Sequence, residues 1–297
     1  MKPTLGFIGL GMMGSPMAER LLDAGFPLVV YNRTESKTDH LVNRGARRAM
    51  TCKEIGQMSE ICITMVSDPE ALDDVVFSSS GLDKGLSPGK VHIDMSTVSP
   101  AIIERLSKHY SKINIGFLHS PVLGSTPQAA DGSLLLFIGG DPIVAGRVKE
   151  VLNVLGMHQW FLPEATQATH LKLICNMFIA SMSAPLVQGL VFGAKVGIPP
   201  STLLEVLSRS SLNAPMYQTK GKSISKRQFT PARFFAKHLL KDINLALEAG
   251  KIASVPLPAL VPIRDLYTTA LSMGCGDEDY SSVVKVLEAM AGVEVQE

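Results

Sequence analysis

Four cysteines, at positions 52, 62, 175 and 275, form no C-x-x-C pair, and the seven histidines contain neither H-E-x-x-H nor H-x-H. Neither a redox dithiol nor a metal centre is therefore written into the sequence, and the expected thiols are reduced ones in a cytosolic chain. An excess of charge of either sign is also missing. Lys plus Arg number 28 against 27 Asp plus Glu, which argues against nucleic acid or an anionic membrane as a partner held by a global field and leaves a small molecule as the expected one. The chain shows no internal repeat, no low-complexity tract and, as read, no uninterrupted apolar run of membrane length. Its apolar, Lys2-led start is broken by glycines, unlike a signal peptide. With 46% hydrophobic and 19% charged residues in 297, two domains with their own cores are expected.

What is present concentrates between Leu5 and Thr34. Leu5-Gly6-Phe7-Ile8 is an apolar run that breaks at Gly9, Gly11 and Gly14, then passes into helical spacing through Met17, Leu21 and Leu22 to a stop at Gly25. A second apolar run, Pro27 to Tyr31, follows at βαβ distance. The G-x-G-x-x-G thus sits between strand and helix, the setting in which it binds a dinucleotide. Gly9 permits the turn, Gly11 lets a pyrophosphate approach the backbone, and Gly14 lets helix and strand pack closely. Where an NAD site places Asp or Glu on the ribose 2′-hydroxyl, the chain has Asn32-Arg33-Thr34. No carboxylate there repels a 2′-phosphate and a guanidinium can grip one, so the expected cofactor is NADP(H).

The rest of the first half alternates. Helices are expected over Ser36–Arg44 and Thr51–Met58, from Pro69 behind Ser67-Asp68, from Pro100 to Tyr110, and from Pro142 to Leu155. Strands are expected at Ile61–Val66, Val91–Asp94, Ile113–Leu118 and Leu134–Ile138, with loops over Gly81–Gly89 and Pro121–Ser133. The reading is α/β: a doubly wound Rossmann sheet over residues 1–163. In such a sheet the segments Gly9–Gly14, Val66–Pro69, Met95–Pro100 and Ser120–Ser125 leave C-terminal strand ends and should line one crevice. Past Pro163 the strand signals vanish. From Glu164, apolar residues recur at helical spacing for about seven turns, with a kink expected at Pro185. Helices at Ser201–Leu207, Phe235–Lys251, Pro258–Met273 and Tyr280–Ala291 make residues 164–297 an all-α domain, in which the basic run Lys220–Arg227 reads as a solvated loop. A first helix apolar on more than one face suits a domain junction or a subunit interface, so a homo-oligomer is expected.

Five stretches taken together resemble the β-hydroxyacid dehydrogenase family, the group of 3-hydroxyisobutyrate dehydrogenase, tartronate semialdehyde reductase and glyoxylate/succinic semialdehyde reductase. They are Gly9-Leu-Gly-Met-Met-Gly-Ser-Pro-Met-Ala18; Asp94-Met-Ser-Thr-Val-Ser-Pro100; Pro121-Val-Leu-Gly-Ser125 with Asp131-Gly132 and Gly139-Gly140; Lys172 with Asn176; and Phe234 to Asp242. Asn32-Arg33-Thr34 resembles the NADPH-using branch of glyoxylate and succinic semialdehyde reductases. The resemblance implies cofactor contacts from Gly9, Gly11, Met12, Met13, Gly14, Asn32, Arg33, Thr34, Val66, Thr97 and Lys241. It implies substrate contacts from Ser96, Leu123, Gly124, Ser125, Phe234 and Asp242, and catalysis by Lys172 with Asn176. Asp94 is read as a structural carboxylate at a strand end.

Those roles make chemical sense. Lys172 and Asn176 are one helical turn apart and share a face, so an ammonium and a carboxamide can converge on one substrate oxygen. Hydride arriving at a carbonyl carbon drives negative charge onto that oxygen, which Lys172 can stabilise and then protonate; partial burial would lower its pKa toward neutrality. The expected reaction is NADPH-dependent reduction of a short carboxylate-bearing aldehyde or keto acid. The alternatives are a 3-hydroxy acid dehydrogenase running oxidatively, an imine reductase, and, in another class, a non-catalytic NADP-binding scaffold. Three departures from the family pattern bear on substrate: Leu123 replaces a serine, His119-Ser120 replaces an acidic residue and alanine, and Thr166 and Ala168 stand where glycines are usual.

Overall fold

Leu5–Ile8 (β1) is buried at every position, as an apolar run without alternation must be when helices cover both faces of its sheet. The computed structural model describes residues 2–297, in two compact units that divide between Lys172 and Leu173. In the first unit β1 is followed by α1 (Gly14–Asp23), β2 (Leu28–Tyr31), α2 (Asp39–Val42), β3 (Arg47–Arg48), α3 (Cys52–Met58), β4 (Ile61–Thr64) and α4 (Pro69–Phe77). Then come β5 (Val91–Asp94), α5 (Pro100–Lys112), β6 (Gly116–His119), β7 (Val122–Leu123), α6 (Thr126–Asp131), β8 (Leu134–Gly140), α7 (Pro142–Arg147), α8 (Lys149–Leu155) and β9 (Gly156–Leu162).

The order across the sheet is β3-β2-β1-β4-β5-β6-β8-β7, with β9 added to β8. The strands from β3 to β6 are all parallel. The chain therefore winds outward from β1 in both directions, and the strand order reverses between β1 and β4. Beyond β6 the sheet becomes mixed, because β8 runs antiparallel to β6 and β7 and parallel to β9. Helix starts follow the capping chemistry: Asp68 accepts from Ala71 N, Ser99 from Ile102 N and Asp141 from Ile143 N, each just before a proline in the first turn.

Several elements differ from expectation. The loop expected over Pro121–Ser133 contains β7 and α6, and the helix expected over Pro142–Leu155 is broken at Val148. The segment expected as a helix from Ser36 begins with a 3-10 turn, Glu35–Thr38. β3 and β9 went unread. β9 pairs only with β8, and Met157, Trp160 and Phe161 are exposed, so it lacks the alternation a half-buried strand would show.

α9 (Ala165–Lys195) begins in the first unit and continues through the second, running past Pro185 without ending there. By length and composition α9 is apolar enough to cross a bilayer, against the expectation that the chain has no such run. Its Leu173, Ala180, Leu186, Val187 and Leu190 instead belong to the second unit's core. That core is completed by α10 (Pro200–Arg209), α11 (Pro215–Ser225), α12 (Ala236–Ile252), α13 (Leu260–Ser272) and α14 (Val284–Ala291). Lys220–Arg227 is not a solvated loop: it lies mostly in α11, where the Lys220 ammonium donates to both Asp279 oxygens at 2.8 and 2.7 Å, and Arg227 pairs with Glu288. Burial pushes the Asp279 carboxyl up, but Lys220 and Ser281 more than offset this and hold it below the usual carboxylate range.

Candidate active site

The three loop glycines are needed for different reasons. A Cβ on Gly9, at φ +99°, would lie 2.2 Å from Met65 O, and one on Gly14 would lie 1.9 Å from Gly9 O. The fold itself demands both. A Cβ on Gly11 would meet nothing within 4 Å, and its φ is not in the left-handed region. Neither packing nor backbone explains Gly11, whereas a pyrophosphate resting on the main chain does. At the start of α1, Met13 is the N-cap without a side-chain hydrogen bond, and no acidic residue occupies the first turn, so the helix's positive end is left for an anion. These residues fit a dinucleotide.

At the end of β2, Asn32 Oδ1 accepts from Leu10 N at 2.9 Å and its Nδ2 donates to Thr34 O at 2.8 Å. Asn32, expected among the cofactor contacts, thus braces the glycine loop against the β2 exit. Arg33 and Thr34 are exposed. The nearby carboxylate Glu35 is paired with Arg48 at 2.5 Å, so it does not oppose an anion at Arg33.

The β4, β5 and β6 exits meet at one buried carboxylate. Asp94 Oδ1 accepts from Thr64 Oγ1 at 2.7 Å and from Ser96 Oγ at 2.8 Å, while Oδ2 lies 3.0 Å from His119 Nδ1. Ser96 Oγ accepts in turn from Val66 N at 2.9 Å. Ser96 is fully buried, and its hydroxyl links two loops. Burial alone would raise the Asp94 carboxyl, but the close approach of His119, with the Thr64 hydroxyl, holds it below the ordinary value. His119 was noted in the sequence only as a departure; its place opposite Asp94 emerges from strand register.

In the substrate loop, Val122 is buried and Leu123 half-buried, and β7 pairs Leu123 with the half-buried Leu135 of β8. Alternation puts both leucines on the face opposite the core residues Val122, Leu134 and Leu136. Gly124, at φ +144°, is exposed. Ser125 N donates to Gln128 Oε1 at 3.0 Å at the start of α6. The Ser125 amide is therefore committed to its helix cap.

On α9, Lys172 is 8% exposed and Asn176 2%. A lysine is rarely so buried unless its charge is paired. Asn176 Nδ2 donates to Asp242 Oδ2 at 2.6 Å, and Lys241 Nζ lies 3.0 Å from Asp242 Oδ1. Because a carboxylate only accepts, Asp242 fixes which end of the Asn176 amide faces it. Asp242, expected against substrate, is 2% exposed and orients Asn176. Phe234 stands edge-on to Tyr280, ring centroids 5.9 Å apart. Ala168, at a position where a glycine is usual, is accommodated by Gly139, whose own Cβ would lie 3.0 Å from that of Ala168.

Residues 4–168 match the family model for the NAD binding domain of 6-phosphogluconate dehydrogenase, and residues 166–287 that for the NAD-binding domain of NADP-dependent 3-hydroxyisobutyrate dehydrogenase. The chain is 37% identical over 286 residues to the chloroplastic glyoxylate/succinic semialdehyde reductase 2 of Arabidopsis thaliana, covering 96% of this chain and 80% of that one. The chain belongs to the β-hydroxyacid dehydrogenase family. It is also 35% identical to glyoxylate/succinic semialdehyde reductase 1 of the same plant, covering 96% of this chain and 98% of the relative. The 3-hydroxyisobutyrate dehydrogenase of Mycobacterium tuberculosis shares the fold at TM-score 0.87 and 23% identity, covering 97% of this chain and 99% of that one. As a β-hydroxyacid dehydrogenase the protein is an NAD(P)-dependent oxidoreductase acting on CH–OH or C=O.

Proposed function

We propose that this family member is an NADPH-dependent reductase of a short aldehyde or keto acid carrying a carboxylate, forming the hydroxy acid. The observation that carries the reading is a buried lysine one turn from an asparagine whose amide is fixed by a buried aspartate. The cofactor supplies the hydride. Lys172 stabilises the developing alkoxide and donates its proton, and Asn176, held by Asp242, positions the same oxygen. In this reading Gly9, Gly11, Met12, Met13, Gly14, Arg33 and Thr34 would hold the cofactor's phosphates, and Val66, Thr97 and Lys241 are assigned to its nicotinamide half. Four free cysteines fit a cytosolic setting. The test is turnover of glyoxylate, succinic semialdehyde, tartronate semialdehyde and methylmalonate semialdehyde with each reduced cofactor. Faster oxidation of 3-hydroxyisobutyrate than reduction of any of these would replace this direction with the oxidative one.

Leu123 sets the expected choice among those substrates. Its position off the core leaves it to contact substrate, and leucine offers methyl groups where serine would offer a hydrogen bond to carboxylate. With the Ser125 amide committed to Gln128, glyoxylate has little to grip, while the methylenes of a longer semialdehyde can pack on Leu123. The ratio of kcat/KM for succinic semialdehyde over glyoxylate should exceed one, and Leu123→Ser should lower it by about fivefold. An unchanged ratio in the variant would remove Leu123 from selectivity, and a wild-type ratio below one would remove the preference.

The surface of α9 supports a homo-oligomer. Ile174, Phe178 and Phe192, with Val196 just beyond the helix, are 47%, 59%, 70% and 56% exposed. Their spacing of 4, 14 and 4 residues places them within about 40° of one another, opposite Lys172 and Asn176. Light scattering should give at least a dimer, and Phe178→Asp should shift it toward monomer. A wild type that is monomeric at micromolar concentration would contradict this.

A further inference from the structure

Thr64, Asp94 and His119 are the last residues of β4, β5 and β6 and stand side by side in register. All three are fully buried. Through them one carboxylate connects three strand exits: Thr64 on β4, Ser96 on the loop after β5 with its link to Val66 N, and His119 on β6. Two other titratable groups are near this row. His92 Nε2 reaches Thr64 Oγ1 at 2.9 Å, and burial pushes its imidazole down to about 4, so it is neutral. Since Thr64 donates to Asp94, His92 must donate to Thr64. Tyr110, edge-on to His92, has its hydroxyl pushed well up by burial. Neither lies against the second carboxylate oxygen. His119 does, 3.0 Å from Oδ2, on the one side the two hydroxyls do not reach.

We propose that His119 is a positioning residue for this enzyme: held against Asp94 from β6, it fixes the exits of β4, β5 and β6, and with them the segments carrying Val66, Thr97 and Leu123 to Ser125. The proposal rests on the reading of those segments as the cofactor and substrate contacts. A spacer filling the core would be replaceable by any group of similar volume. A partner for a buried carboxylate would not be, because its loss leaves Asp94 without compensation and makes the carboxyl take up a proton at higher pH. A protonated Asp94 has lost its charge, so the hydrogen bonds that Oδ1 accepts from Thr64 and Ser96 are no longer charge-assisted and the loops' common anchor weakens.

The sign of the effect follows. In wild type the Asp94 carboxyl lies below its ordinary value, so the arrangement persists until pH falls through that low value. Without His119 the carboxyl rises, and the arrangement is lost at a higher pH. The experiment is calorimetric titration with NADP+, which tolerates acid, from pH 8 to 5.5 on wild type, His119→Asn and His119→Leu, with thermal unfolding in parallel. The ratio of variant to wild-type dissociation constants should stay within about threefold for His119→Asn at pH 8 and grow to about tenfold at pH 5.5. His119→Leu should be weaker throughout; if it fails to fold, His119→Asn decides alone. A folded His119→Asn whose ratio does not change with pH overturns the proposal and leaves the functional reading standing. A wild type that binds no NADP+ overturns that reading and the proposal with it. Because the readout is binding, it decides the proposal even if no tested carbonyl is turned over.

Discussion

Lys172→Ala should lower turnover about a hundred- to ten-thousand-fold, the range lost when a general acid is removed, and leave NADPH affinity within a few-fold of wild type. The expectation rests on burial. Lys172 is 8% exposed and shares a helical face with Asn176, whose amide is fixed by Asp242 at 2.6 Å. The task of such a lysine is felt most when charge moves to the carbonyl oxygen, so its loss should appear in kcat rather than in binding. Asn176→Ala should lose less, because it removes a positioning contact and keeps the proton donor. Asp242→Asn tests the same arrangement from behind: an amide can turn an N–H toward Asn176, freeing its orientation, so a kcat reduction comparable to Asn176→Ala is expected. Steady-state kinetics beside a fluorescence titration of NADPH separates the two parameters. Lysine-variant turnover within a few-fold of an active wild type would remove the mechanism.

The parts of the fold readable from sequence were those whose signal is local. The glycine loop, the prolines at helix starts and the capping residues Asp68, Ser99 and Asp141 act within a few residues and lie where expected. What went unread depends on distant partners. α11 looked like a charged loop because the carboxylate that binds Lys220 is Asp279, 59 residues away. β9 has no pattern because an edge strand need bury little, and the two-residue β7 is defined by its pairing with β8. In the site, the residue types were legible but their partners were not. Lys172 and Asn176 are joined by helix geometry, which sequence shows; Asn176 and Asp242 are joined by packing of α9 on α12, which it does not. Sequence likewise does not show that the Ser96 hydroxyl donates to Asp94 or that the Ser125 amide donates to Gln128.

Arg33→Ala should weaken NADPH binding about ten- to a hundred-and-fifty-fold, the equivalent of about 1.5 to 3 kcal/mol for a charge-assisted hydrogen bond to phosphate, and leave NADH binding unchanged. The asymmetry is the point of the experiment. NADH has the same pyrophosphate, ribose and nicotinamide, and differs at the 2′-position that Arg33 is expected to face. Two structural facts favour Arg33 over its neighbours. Asn32 has its carbonyl oxygen and amide nitrogen engaged by Leu10 N and Thr34 O, so it shapes the turn instead of reaching outward. Glu35, a carboxylate close enough in sequence to repel the phosphate, is paired with Arg48. Arg33 is exposed, so raising salt should shrink its contribution and bring the two cofactors closer together in wild type. Asn32→Ala should act differently: by loosening the glycine loop it should weaken NADPH and NADH alike, because both rest on that loop. Equal losses for both cofactors in Arg33→Ala would reassign the arginine to the same bracing role. A wild type binding NADH as tightly as NADPH would end the NADP(H) assignment whatever the variants do.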